Sequence, residues 1–359
     1  MAAPDAKTPN KKPTIDDVAA LSGVARVTVS RVLNGGANVR PEVREKVRGA
    51  VESLGYRVNV QARALAGGAS RLFTLVHPAA DDSEPNSYWE SALELGALRA
   101  CTRNGFHLMT RRVARADWTN RGWVRELIEH HRCDGIILTP PFADDVALAE
   151  FIRASGCVVV AIAPGSGARQ TTLSVGIDDE RAGYEIAAHL ADLGHSAFAF
   201  IGGLEGHFAA EKRWVGVVRA LADKGLGGDA IQFARGDFSF KSGVDLTPDL
   251  LAGRKKATAL ICANDDMAVG ALFAAHRMGI AVPQHLSITG FDDTPVSALI
   301  WPPLTTIHQP IRKLGERAVD LLVEGMSSKT PRRKPGFELL PHELVIRHST
   351  AVAPQRGMA

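Results

Sequence analysis

From residue 72 onward, short apolar runs alternate with longer stretches in which apolar side chains return every third or fourth position. Runs of five or six apolar residues read as strands buried on both faces, and the 3.6-residue period reads as amphipathic helix. The expected strands are LFTLV (72–76), FHLMT (106–110), GIILT (135–139), CVVVAI (157–162), AFAFIG (197–202), TALICA (258–263) and LSITGF (286–291). Helical spacing falls between them, as at 88–104 and 181–193. Such alternation builds parallel sheets covered by helices. Residues 72–347 are therefore expected to form an α/β body of two doubly wound parallel-sheet subdomains, which take ligands at the carboxyl ends of their strands.

The first seventy residues have another texture. In TIDDVAAL (14–21), Thr14 stands where it can cap a helix, and Asp17 three residues on completes a capping-box-like pair. Ile15, Val18 and Ala19 share one face, and Ser22-Gly23 then breaks the helix. A second helical pattern lies in ARVTVSRVLNGG (25–36), and a third starts at Pro41, carries Val43, Val47, Val51 and Leu54 on one face and closes at Gly55. Two helices joined by a tight glycine-containing turn, with a supporting third, make an all-α helix-turn-helix head. Packing Val29, Val32 and Leu33 on Ile15, Val18 and Val47 turns Arg26, Val27, Ser30, Arg31 and Asn34 outward. Arginine suits the O6 and N7 edge of guanine in a major groove, while Thr28, Ser30 and Asn34 suit phosphates. The valines lower helix propensity, so packing must hold this helix.

Charge sharpens the division. The net charge is +3, but residues 1–71 hold 12 Lys+Arg against 6 Asp+Glu, and the remainder holds 30 against 33. A basic head on a mildly acidic body implies that the head meets a polyanion. Length 359, with 45% hydrophobic and 23% charged residues, suits a soluble protein of two or three compact units. No apolar run reaches 18 residues, so no membrane span is expected. Residues 1–13 carry Lys11-Lys12 without an apolar core after them, which reads as a disordered tail and not a secretory signal. Cys101, Cys133, Cys157 and Cys262 stand far apart without a CxxC, as expected of buried thiols in a reducing cytoplasm.

Catalysis is not expected, nor any cofactor or metal. Asp265-Asp266 and Asp292-Asp293 are adjacent pairs, whose side chains point to opposite faces of an extended chain. There is no GxSxG or GxxxxGK[ST], Gly202-Gly203 lacks the third glycine of a dinucleotide fingerprint, and His130, His131, His189 and His195 lack metal-ligand spacing.

The run TIDDVAALSGVARVTVSRVLN, continued by VRPEVREKV and ESLGYRVNVQARALAGG, resembles the DNA-binding head of the lactose-repressor (LacI/GalR) family. That resemblance implies a head over 14–58, with Arg26 and Val27 at variable base-reading positions and Arg31 at the constant one. It adds Thr14, Thr28, Ser30, Asn34, Tyr56, Asn59 and Arg63 to the DNA contacts. It also implies a hinge helix over 59–68, where Ala62 and Leu65 face the minor groove and Leu65 wedges into a base step. Ala25 and Arg40 depart from the family's hydroxyl caps, each costing about 0.5–2 kcal/mol.

The body resembles a periplasmic-binding-protein-type effector domain through GIDDERAG, HLADLGH, ICANDDMAVGAL and LSITGFDDTPVSALIWPPLTTIHQP. The resemblance implies an N-subdomain of 72–175 plus 308–332 and a C-subdomain of 176–307 plus 333–347. The chain would cross at WPPLTT and again near Arg333, and 348–359 would be a flexible tail. Implied effector residues are Asn264, Asp292, Arg213 and Phe238, whose ring would stack on a sugar, with Asn86, Tyr88, Trp89 and Arg112 from the N-subdomain. HPAADDSEPNSYW departs from the family's usual short loop at that point. Asp265 is expected to cap a helix, and Asp178 and Asp293 to orient loops.

The function implied is a cytoplasmic, nucleoid-associated transcriptional regulator, a repressor of carbohydrate genes. It would bind a near-palindromic double-stranded operator as a homodimer, under control of a small sugar-like effector. The alternatives are a sugar-binding protein without a DNA role, and a regulator responding to a purine or anionic metabolite.

Overall fold

The computed structural model describes residues 13–33, 39–56, 70–79, 87–131, 133–252, 256–326 and 334–354. The chain divides into two compact units at Ser70/Arg71. The expected hinge, with Asn59, Ala62, Arg63 and Leu65, lies outside the described residues, as do Asn34 and Asn86.

In the head, α1 (Ile15–Ser22), α2 (Arg26–Leu33) and α3 (Pro41–Leu54) close on a small core. Val18, Val29, Val47 and Ala50 are buried, ringed by Ile15, Ala19, Val32, Leu33, Val51, Leu54 and Tyr56. The Thr14–Asp17 capping box is present, and Gly23 ends α1 at φ 65. Ala25 supplies only its carbonyl, which accepts from the amides of Thr28 and Val29, and Arg40 makes no side-chain cap. With no side-chain cap at Ala25, α2 depends on the burial of Val29.

The body has two lobes. The N-lobe sheet contains β1 (Leu72–Pro78), β2 (His107–Val113), β3 (Gly135–Leu138), β4 (Val158–Ile162), β5 (Leu173–Gly176) and β11 (Gly336–Leu339), in the order β11-β5-β4-β3-β1-β2. The C-lobe sheet contains β6 (Phe198–Gly202), β7 (Ile231–Arg235), β8 (Ala259–Cys262) and β9 (Ser287–Thr289), in the order β7-β6-β8-β9. All neighbours within both sheets are parallel. β10 (Thr306–His308) and β12 (Glu343–Val345) form an antiparallel pair.

The main helices are α4 (Ser87–Asn104), α5 (Val146–Ala154), α6 (Asp179–Asp192), α7 (Phe208–Asp223), α8 (Phe240–Ala252), α9 (Asp265–Arg277) and α10 (Ile311–Met326). Phe73, Leu75, Ile137 and Val160 pack toward Leu93, Ala97 and Leu314 on one face of the N-lobe sheet. The alternate residues Val76, Ile136, Leu138 and Val159 pack toward Leu148 and Ile152 on the other. Burial on both faces is why these strands lack polar alternation.

Three expectations need correction. The sequence pattern omits β5, β7, β10 and β11, which are short or half-exposed segments (LSVG, IQFAR, TIH, GFEL) without a continuous apolar run. The chain does not return to the C-lobe near Arg333. It stays with the N-lobe through β11, whose pairing with β5 satisfies that strand's open edge, and Arg169 stacks 3.8 Å from the Phe337 ring. Lastly, residues 348–354 are not a flexible tail. Ser349 is buried, its Oγ donates to the Ile288 carbonyl and accepts from the Thr305 amide, and the Ala353 amide reaches Leu193. A short β9 leaves backbone groups that this segment pairs.

Candidate functional site

On the head, Arg26, Val27 and Arg31 are exposed and Thr28 and Ser30 are half-buried. Val27 at 69% is an exposed apolar side chain on a helix whose opposite face, at Val29, is fully buried. Arg26 meets Asp16 at 3.4 Å, with both side chains more than 60% exposed; such a pair holds the guanidinium weakly. Thr14 is exposed but occupied with its own capping box, and Tyr56 packs against the core.

In the body a cleft of about 710 Å³ is lined from both lobes. It gathers Trp89, Arg213, Phe238, Asn264 and Asp292 of the expected set. Tyr88 and Arg112 do not line it. Tyr88 packs on the N-lobe core, and Arg112 is held by the Glu90 carboxylate, which takes the lining position instead. A carboxylate in the first turn of α4 draws the strand-borne arginine into that ion pair.

The C-lobe wall rests on buried polar groups. Arg213 Nε donates to Asp179 Oδ1 at 3.0 Å and Nη1 to the Ala263 carbonyl at 2.6 Å, while its guanidinium lies 3.6 Å from the Phe291 ring centroid. Asn264 caps α9 by accepting from the Met267 amide, and its Nδ2 donates to the Phe238 carbonyl at 2.9 Å. The cap is therefore Asn264, not Asp265. The Asp265 carboxylate instead accepts from the Thr294 amide and hydroxyl and from Thr306 Oγ1, tying the start of α9 to the loop at Thr294 and to β10. Asp178 caps α6, and Asp293 accepts from Arg347 and Ser297.

Asp292 accepts from Gln309 Nε2 at 2.6 Å, and burial drives its pKa well above the usual carboxylate range against the pull of Arg213. His207, wholly neutral because burial and Arg213 hold its pKa near 3, sets its ring edge on Phe238 with centroids 4.8 Å apart. Gly203 makes room for that ring, since a Cβ there would lie 2.1 Å from Phe238 Cζ.

Strain marks the same place. Five described non-glycine residues have positive φ, and three of them, Ala163 (49°), Phe238 (69°) and Asp292 (113°), line the cleft. Each costs about 1–3 kcal/mol that a packed fold sustains for a functional geometry. The sequence pattern missed His77, Glu90, Trp118, His207 and Gln309, which also line it. A signal for His77 existed: it is a polar residue near the carboxyl end of an apolar parallel strand. Cys101, Cys133, Cys157 and Cys262 are free and buried, and among the described residues no cluster suits a metal and no helix suits a membrane.

An exposed arginine-bearing helix on a three-helix head, and a two-lobed body with a strained, aromatic-floored cleft, define a ligand-responsive regulator. Residues 14–59 match the lacI family of bacterial regulatory proteins and residues 187–350 the periplasmic binding protein-like domain. The chain is 34% identical over 345 residues to the HTH-type transcriptional regulator DegA of Bacillus subtilis, covering 95% of this chain and 98% of DegA. It is similar to the Lac repressor dimer bound to operator and the anti-inducer ONPF, at 30% identity, 95% of this chain and 100% of that chain, TM-score 0.80. It is also similar to the transcriptional regulator CelR in complex with cellobiose, at 29% identity, 94% and 99% coverage, TM-score 0.69. The chain belongs to the LacI family of transcriptional regulators.

Proposed function

We propose that this regulator is a repressor that binds a near-palindromic operator as a homodimer and releases or tightens its grip when a neutral sugar enters the cleft. The observation that carries this is the cleft's composition: Phe238 and Trp89 rings beside Arg213, Asn264 and Asp292, the donors and acceptors that vicinal hydroxyls require. Arg213 is matched by Asp179 and Arg112 by Glu90, while Arg115 and Arg235 line the cleft over the Trp118 and Phe233 rings, so the reading of a neutral ligand rests on the aromatic rings and the hydroxyl-pairing groups. The Lac repressor is bound to its operator and CelR to cellobiose in the structures this chain resembles.

Head contacts would come from Arg26, Val27 and Arg31 on bases and from Thr28 and Ser30 on phosphates. Lobe closure would change the spacing of the two heads, because the effector binds one arrangement better than the other. Of the carboxylates that line the cleft, Asp292 is committed to Gln309 and Glu90 to Arg112, which supports a site for binding and not for catalysis. The protein would act in the cytoplasm on the nucleoid. Selection of duplexes from a random pool by the full-length chain, followed by band-shift with and without sugars, tests this. Enrichment of a near-palindrome whose affinity moves with one sugar is expected; failure to enrich any duplex overturns the DNA reading.

A further inference from the structure

Two of the four cysteines stand together. Cys133 lies two residues before β3 and Cys157 one residue before β4, neighbouring parallel strands that pair from Gly135 and Val158 onward. The ladder runs back one step further, with the Val158 amide on the Asp134 carbonyl at 3.4 Å. Each cysteine is therefore next to a residue of the ladder. Paired strands lie about 4.8 Å apart, and a disulfide spans Cα separations of about 4.4–6.8 Å, so the backbone spacing suits a bridge. Both side chains enter the same apolar cluster. Each thiol is the other's hydrogen-bond partner, and Cys157 Sγ also reaches the Cys133 carbonyl at 3.4 Å.

Their surroundings set them apart from Cys101 and Cys262. Those two are enclosed in the N-lobe and C-lobe cores, and burial pushes both thiols up, Cys101 to about 12. Cys133 moves the other way. The Cys157 thiol and then the Thr74 hydroxyl, 3.1 Å away, hold it below its ordinary value against the effect of burial. Cys157, whose proton is shared with Cys133, is raised. The pair also lies close under the surface: His131, two residues before Cys133, is exposed, and so is the stretch 153–156 that leads into Cys157. A sulfur biased toward thiolate, with a second thiol already bonded to it, has the makings of an oxidant-responsive pair.

We propose that Cys133 and Cys157 form a redox-active dithiol that hydrogen peroxide closes to a disulfide, fastening the start of β3 to the start of β4. The Cys133 thiolate attacks one peroxide oxygen and becomes the sulfenic acid, releasing hydroxide that a proton converts to water. The Cys157 sulfur then attacks the Cys133 sulfur and expels the oxygen as a second water. The two sulfurs lose two electrons to the peroxide, and both thiol protons end in the two waters. A thiol reductant reverses the bond by exchange, as suits a transient disulfide in a reducing compartment. Cys133 Sγ also lies 3.6 Å from the Leu72 carbonyl of β1, so the bridge forms against the strand that opens the body unit.

The test uses the full-length protein, reduced, freed of reductant and exposed to hydrogen peroxide near neutral pH. Free thiols are then alkylated in denaturant and the peptides mapped by mass spectrometry. One linked pair joining Cys133 to Cys157 is expected, two hydrogens lighter than the separate peptides, with Cys101 and Cys262 alkylated as in untreated protein. Reductant should restore all four thiols. Cys133 and Cys157 alkylated as fully as Cys101 and Cys262 overturns the proposal, and so does a link from either of them to any other cysteine. Dimedone, which traps sulfenic acid, separates the roles of the two sulfurs. It should label Cys133 in Cys157→Ser, where no second thiol resolves the intermediate, and leave the wild type unlabelled. Labelling of Cys157 in Cys133→Ser, without labelling of Cys133 in Cys157→Ser, overturns the assignment of Cys133 as the attacking sulfur. Should either serine variant fail to fold, the wild-type peptide map decides alone.

Discussion

The head and the cleft solve opposite problems with the same kinds of side chain. On α2 the polar groups Arg26 and Arg31 stand in water, and the face beneath them is held by Val29 and its small core. In the cleft, Arg213, Asn264 and Asp292 are buried and each is already engaged with a protein partner. An exposed arginine loses little by being unpaired or only weakly paired, as Arg26 is with Asp16, so the head can wait for DNA with donors that are easily released. A buried polar group cannot wait unpaired without cost, so the cleft is a network whose members hold each other in place. The lesson is that a reading surface is built by exposure and a binding cavity by mutual satisfaction, and mutations should separate the two.

The largest separation should come from Arg31→Ala. Losing a bidentate base contact costs about 1–3 kcal/mol per half-site, and twice that for a dimer. Band-shift titration should show operator affinity falling by that amount, while the thermal stability of the body is unchanged. An unaltered titration would move the reading face elsewhere on the head.

Asp292→Asn sharpens the other side. Asparagine keeps an oxygen for Gln309 Nε2, so the fold should survive, but a buried acceptor is lost to the ligand. A penalty of about 1–3 kcal/mol in effector affinity is expected by calorimetry, with operator affinity of the free protein unchanged. Simultaneous loss of both functions would show that the network, and not the ligand contact, had failed.

Val29→Ala should cost about 2 kcal/mol by removing two methyl groups from a core of four buried residues. Hydrogen exchange should speed up in α1 to α3 and stay constant in the body sheets. A body that loosened equally would contradict the separate cores of the two units.

The smallest effect concerns Asp144, whose Oδ1 accepts from the Gly165 amide and whose pKa burial raises to about 6. Because the folded value exceeds the unfolded one, its stabilising contribution is complete below about pH 4 and is lost as pH rises through 6. The group is only partly buried, so about 1 kcal/mol is expected after screening. Denaturant titrations at pH 4 and pH 7 should show a smaller difference for Asp144→Asn than for the wild type.

The contrast also explains what could be read from the chain alone. The head was legible to the residue: the Thr14 box, the Gly23 break and the outward Arg26, Val27 and Arg31 follow from local spacing, because contacts within three short helices are mostly near in sequence. The apolar strands β1, β3, β4, β6 and β8 were legible for a similar reason, since burial on both faces leaves an unbroken hydrophobic signature. β11 was not. GFEL has no such signature and is a strand only because β5 offers it an edge 163 residues earlier.

Within the cleft, the amino acids themselves named Arg213, Phe238, Asn264 and Asp292 through the family resemblance. Only the folded chain decided that Glu90 and not Arg112 faces the ligand space, that Asn264 and not Asp265 caps α9, and that His77 is left with an unmatched nitrogen. Periodicity reports which face of an element is buried. Which buried polar group finds a partner depends on atoms brought together from distant strands, at distances no local pattern encodes.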